Sequence, residues 1–159
     1  MQGLYFEDFE EGLELETPAR TITETDIVNF AGLSGDFNPM HTDAVYGATT
    51  QFGQRVAHGM LVLSIATGLS YQMGFLHGTV LAFTGVDWKF RAPTLIGDTI
   101  RVKVKVKRLR AMKSAGGGFV TFDVNVVNQD DKTAQKGEWT ILMASQPDDD
   151  DGDDGDDEG

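Results

Sequence analysis

The chain contains no cysteine. This excludes disulfides, a thiolate nucleophile and any metal site built on thiolates. It lacks a long hydrophobic run: the longest apolar region, around 60–69, is too short and too interrupted to span a bilayer. The N-terminal "MQGLYFEDFEEG" is acidic and has no apolar stretch, so it does not read as a secretory signal. Basic residues are short as well, with 13 Lys and Arg against 25 Asp and Glu, a net charge of −12. That balance gives no sign of nucleic-acid binding, because phosphate would repel it. Two signatures of hydrolytic chemistry are missing, the GxSxG serine elbow and the HExxH zinc helix. The three histidines, His41, His58 and His77, do not form a familiar metal spacing.

The acidity is concentrated. The last twelve residues, 148–159, are only Asp, Glu and Gly and hold nine of the 25 acids. The remaining 16 acids face 13 Lys and Arg, so residues 1–147 carry about −3. A segment of Asp, Glu and Gly has nothing to bury and is expected to stay a disordered, solvated tail. Residues 1–147 are expected to form one domain. A cytoplasmic protein, not held in a membrane, is the default expectation.

The body reads as one helix layer and one sheet. Residues 13–23 have β-favouring residues and a proline, as in an edge strand. Thr23 and Asp26 have the spacing of a capping box, and Ile27, Phe30 and Ala31 follow at helical spacing, so a helix is predicted over 24–33. A long connection, 34–57, comes next; connections of this length inside a compact domain are usually functional. Residues 58–74 are apolar almost all round, which predicts a helix buried on most sides. Strands are predicted over 79–90, 99–109, 119–128 and 138–145. The second alternates strictly, with Ile100, Val102, Val104 and Val106 on one face and Arg101, Lys103, Lys105 and Lys107 on the other. One buried central helix followed by an antiparallel meander is an α+β arrangement called the hot-dog fold. Such a sheet leaves an open edge, and dimerisation through that edge is expected.

The chemistry-bearing stretch is "SGDFNPMHTD", residues 34–43. Pro39 stiffens the loop and pushes Asn38 into an extended conformation. A carboxylate and an imidazole on one site, Asp36 and His41, can hold a water between them and exchange protons with it. The plain alternative is a turn in which these groups only make local hydrogen bonds. Gly59 stands where the apolar helix begins. Backbone N–H groups there lack intrahelical partners and favour negative charge, so Gly59 is a candidate oxyanion hole; the alternative is a glycine kept for close packing. His58 offers a second acid or base, or a backbone hydrogen bond that shapes the loop. Thr67, about two helical turns past Gly59, reaches a ligand or caps a carbonyl of the preceding turn. The cationic face at 101–107 is a solvated strand face, or it meets substrate phosphates or the acidic tail.

"FAGLSGDFNPMHTD" followed by "AHGML" resembles the MaoC-like family of hot-dog hydratases and dehydratases, which includes (R)-specific enoyl-CoA hydratases. The likeness continues through "FRAPTLIGDTI" and covers roughly residues 10–145. It implies that Asp36 and His41 are the catalytic pair and that Asn38 organises the loop. It implies that the Gly59 N–H binds the thioester oxygen and that Thr67 stands where relatives carry a serine. It further implies reversible, syn hydration of an enoyl-CoA to the (R)-3-hydroxyacyl product. An acyl-CoA substrate, a homodimer, and neither metal nor redox cofactor are the accompanying expectations. Open alternatives are a dehydratase acting on carrier-protein, branched or dicarboxylic thioesters, a thioesterase, and a non-catalytic thioester-binding domain or complex subunit.

Overall fold

The computed structural model describes residues 2–147; the acidic segment 148–159 lies outside the described residues. Strands β1 (Glu14–Glu16), β2 (Arg20–Thr21), β3 (Val80–Phe90), β4 (Thr99–Met112), β5 (Gly117–Val127) and β6 (Thr133–Ala144) form one antiparallel sheet. Its order is β1-β4-β5-β6-β3, with β2 also on β4. The hot-dog class is therefore correct. The strands at 99 and 138 are longer than their predicted ranges, because the pairing of β4 with β5 runs to Met112 and that of β6 with β3 begins at Gln135.

Alternation on β4 works as its pattern requires. Ile100, Val102, Val104 and Val106 are buried, and pack with Phe122, Trp139 and Ile141 from the neighbouring strands. On the opposite face Arg101 pairs with Glu16 and Asp131, Lys103 with Asp131, Lys105 with Glu14, and Lys107 with Asp123 and Glu138. These cations are neutralised by carboxylates of adjacent strands and turns. Their pairing favours the solvated-face reading over one in which they serve substrate phosphates, and the acidic tail of the third alternative lies outside the described residues.

Four helices lie on the other side of the sheet or in its connections: α1 (Glu24–Ser34), α2 (Pro39–Thr42), α3 (Ala44–Thr49) and α4 (Gly59–Gln72). Helix α1 starts with the anticipated reciprocal cap between Thr23 and Asp26 and stops at Gly35, whose φ of 78° ends the helix in the left-handed region. The connection 34–57 is not an open loop, a correction. Asn38 and Asp43 each accept backbone N–H groups and start α2 and α3, with Pro39 at the first position of α2.

Helix α4 is the central helix. It buries Leu61, Val62, Leu63, Ala66 and Leu69 against the inner face of the sheet. It is buried on most sides, as expected, but one stripe of Met60, Ser64, Gly68 and Tyr71, three to four residues apart, is exposed. Edge strand β3 likewise exposes Leu81, Phe83, Val86 and Phe90. Apolar character all round thus marks surface left uncovered by this chain, as well as core.

Candidate active site

Asp36, His41 and His58 converge where α1, α2 and α4 meet. One donor atom from each lies within 4.8 Å of the other two. Local structure explains each placement. Asp36 follows the Gly35 stop of α1 and accepts the Asn38 N–H on Oδ1 at 3.2 Å. Asn38, extended at φ −52° and ψ 132°, accepts the Met40 N–H on its own Oδ1 and begins α2. His41 sits on α2 one turn later and is 8% exposed.

The tautomer of His41 follows from its partner. Nδ1 lies 2.7 Å from the carbonyl oxygen of Val56. A carbonyl only accepts, so Nδ1 carries a proton, and in the neutral ring Nε2 presents a lone pair. The Val56 segment is itself held, through Val56 N–H to the Met40 carbonyl and Ala57 N–H to the Thr94 carbonyl.

His58 takes the structural role. Its Nε2 donates to the backbone carbonyl of Asp36 at 2.9 Å, and its ring stacks on that of His41 with centroids 3.8 Å apart. Its Nδ1 is buried without a partner among the described residues. As for Thr67, its hydroxyl donates to the Ser64 carbonyl at 2.7 Å, and Thr67 does not line the cavity described next. The structure brings Asp36, Asn38, His41 and His58 together and leaves Thr67 capping its own helix.

A cavity of about 540 Å³ opens beside these groups. His41 and Gly59 line it with apolar side chains including Met40, Phe52, Val62 and Phe90. Gly59 is the first residue of α4, and its N–H has no protein acceptor among the described residues. A Cβ at Gly59 would lie 2.7–2.8 Å from two Phe90 ring carbons, so the ring rests on the bare glycine. A larger concavity, about 660 Å³, lies on the outer face of the sheet among the ion-paired strands and contains neither histidine.

Sequence reasoning missed two residues lining this cavity, Gln135 and Phe90, and a third, Trp88, that holds Gln135 from behind. Gln135 on β6 is 2% exposed and donates from Nε2 to the Gly59 carbonyl at 2.9 Å. Trp88 on β3 donates from Nε1 to Gln135 Oε1 at 2.8 Å. Phe90 covers Gly59. The available signal was an amide in step with the inward residues Trp139, Ile141 and Met143, but Gln135 fell before the predicted start of that strand.

The MaoC like domain matches residues 8–128. The chain belongs to this family. It is 38% identical over 143 residues to the (R)-specific enoyl-CoA hydratase of Rhodospirillum rubrum, a match covering 89% of this chain and 93% of that protein. It is 45% identical over 105 residues to Protein MaoC of Klebsiella aerogenes. That match takes in 65% of this MaoC-like chain but only 31% of the Klebsiella protein. A solved structure from Archaeoglobus, named as a monoamine oxidase regulatory protein, superposes with a TM-score of 0.85 at 37% identity and covers 92% of this chain and 98% of its own. Among the described residues no helix is long and apolar enough to cross a membrane.

Proposed function

We propose that this MaoC-like chain is a hydro-lyase that reversibly adds water to a trans-2-enoyl-CoA, giving the (R)-3-hydroxyacyl-CoA. The observation that carries this reading is the His41 tautomer. A ring nitrogen of His41 lies within 4.8 Å of the Asp36 carboxylate, and His41, though not Asp36, lines the cavity that also reaches the unpartnered Gly59 N–H. The (R) product and the CoA carrier come from the family relationship, including the relative in Rhodospirillum rubrum.

In this reading the acyl chain enters the apolar cavity with its thioester oxygen on the Gly59 N–H. Asp36 and His41 hold one water. Nε2 takes a proton from it as its oxygen bonds to the β-carbon, and the α-carbon receives a proton from the same pair. The thioester gains the elements of one water with no net oxidation or reduction, so no redox cofactor is required, and in this reading the side chains act without a metal. Charge passing through the thioester oxygen meets the positive end of α4. A preorganised donor at such a position is worth roughly 2.7–4 kcal/mol. Dehydration is the same path reversed.

The exposed apolar residues of β3 and α4 support a homodimer through the β3 edge. Gel filtration tests this part: elution as a monomer ends it. The activity is tested by following loss of enoyl-thioester absorbance with crotonyl-CoA and longer enoyl-CoAs, beside Asp36→Asn and His41→Ala. Both variants should melt cooperatively and lose turnover by about 10²–10⁴-fold, the usual worth of positioned acid–base groups. Wild-type activity retained in either variant defeats the mechanism. Binding of crotonyl-CoA without consumption by the wild type favours the non-catalytic domain.

A further inference from the structure

Gln135 is a buried amide on a strand whose inward positions are otherwise apolar or glycine. Burying an amide is costly unless its polar atoms are paired. Here both ends are used, and chemistry dictates which way round. Trp88 Nε1–H can only donate, so the group facing it is Oε1. The Gly59 carbonyl can only accept, so the group facing it is the NH2. A flipped amide would oppose donor to donor and acceptor to acceptor. The chain Trp88–Gln135–Gly59 thus has one orientation.

Strand register produces this convergence. Phe90 pairs with Gln135 and Trp88 with Gly137, so Trp88 is the diagonal neighbour of Gln135 on the same face. Phe90 lays its ring where a Cβ of Gly59 would be. Two adjacent strands therefore grip one residue, from above by a ring and at its carbonyl by an amide.

That residue is the least self-constrained in the helix. Glycine has the widest choice of φ and ψ, and the first turn of a helix has the fewest hydrogen bonds to hold it. An oxyanion donor must nevertheless keep its direction while charge develops. We propose that Gln135 is a positioning residue: by donating to the Gly59 carbonyl it fixes the backbone at the start of α4, and with it the direction of the Gly59 N–H toward the thioester oxygen. Trp88 acts one step further back, by selecting the orientation of the amide. This inference rests on the Gly59 role proposed above.

The test uses the full chain and crotonyl-CoA. Gln135→Met fills the same space without a donor. Gln135→Glu keeps an acceptor for Trp88 and sets a carboxylate oxygen against the Gly59 carbonyl. Trp88→Phe keeps the amide and frees its orientation. Misdirection of a reacting group by a fraction of an ångström is expected to cost kcat about tenfold or more. In Gln135→Met, kcat should fall by that factor while KM stays within about twofold and the pH profile keeps its shape, because Asp36 and His41 are untouched. Gln135→Glu should fall further, and Trp88→Phe should fall less. Amide hydrogen exchange in the first turn of α4 should speed up in Gln135→Met.

A cooperatively melting Gln135→Met with wild-type kcat overturns the proposal. So does a loss carried entirely by KM. If Gln135→Met fails to fold, Trp88→Phe decides by the same split between kcat and KM. If the wild type consumes no enoyl thioester, the proposed function has failed and hydrogen exchange alone judges the clamp. Faster exchange at Gly59 and Met60 in Gln135→Met then supports it, and unchanged exchange overturns it.

Discussion

His58 donates its Nε2 proton to the main-chain carbonyl of Asp36 across 2.9 Å while its ring lies against that of His41. One buried imidazole thereby sets the height of the loop bearing the carboxylate and the plane of the ring bearing the lone pair. His58 belongs to the residue pair that starts α4, so the same connection ties the acid–base groups to the Gly59 N–H. In the proposed reaction, proton transfer and oxyanion stabilisation would share this one joint.

Gly59→Ala tests the close approach at that joint. The new methyl would meet the Phe90 ring at 2.7–2.8 Å. Phe90 is over half exposed, so its ring can swing aside rather than strain the backbone. Because Phe90 also lines the cavity, the expected outcome is a small drop in Tm and a larger rise in KM for enoyl-CoA. Adding Phe90→Leu should restore part of the affinity. Steady-state kinetics beside a thermal melt checks both.

The cap of α1 sets an acid limb of stability. Burial works to raise the Asp26 carboxyl, but the Thr23 backbone N–H, the Thr23 hydroxyl and Arg20 outweigh it and hold the group below its ordinary value. A lowered folded-state pKa gives stability that is present above the unfolded value, about 3.9, and is lost as pH falls through the folded one. Tm measured from pH 7 down to 2 should therefore fall less steeply below about pH 4 in Asp26→Asn than in wild type. Thr23→Ala should cost about 1 kcal/mol at neutral pH, by denaturant melt, with kcat unchanged.

Lys103 and Lys105 are paired with Asp131 and Glu14 on the outer face of the sheet, away from His41. Exposed pairs of this kind contribute little to stability. Replacing both lysines by Gln should leave KM for CoA thioesters within about twofold, since both are already paired within the sheet, and should shift Tm only slightly. A tenfold rise in KM would return these cations to the substrate.

Asp36, His41 and His58 meet the spacing of a metal-ligand set. In the proposed reaction they act without a metal, so prolonged dialysis against a strong chelator should leave turnover unchanged. Loss of activity that returns on adding zinc would assign them to a metal instead. Added zinc at a chelator-free site is expected to inhibit, by occupying the His41 Nε2 lone pair.

Much of this molecule was legible in the chain because the signals are local. The reciprocal cap of Thr23 and Asp26 spans four residues, and the buried face of β4 repeats every second residue. The pair Asp36 and His41 sits on one short segment, with Asn38 and Pro39 shaping it. Where local signals ended, reading failed. The connection 34–57 carries two helices because Asn38 and Asp43 are caps, and neither cap is followed by a periodic apolar run. The outward stripe of α4, Met60, Ser64, Gly68 and Tyr71, carries no charge to set it apart from the inward Leu61, Val62, Ala66 and Leu69, so packing decides which side is covered.

By itself the sequence determined the α+β class, the central helix, the antiparallel strands and the segment that holds Asp36 and His41, since each is written in periodicity or in capping within a few residues. Tertiary structure alone decided that Lys103 and Lys105 are neutralised, that His58 holds Asp36, and that Gln135 reaches Gly59 across 76 positions of chain. Those contacts depend on which residues strand register and helix placement bring opposite one another. No short stretch of chain encodes that, because each partner is specified by the folding of everything between them.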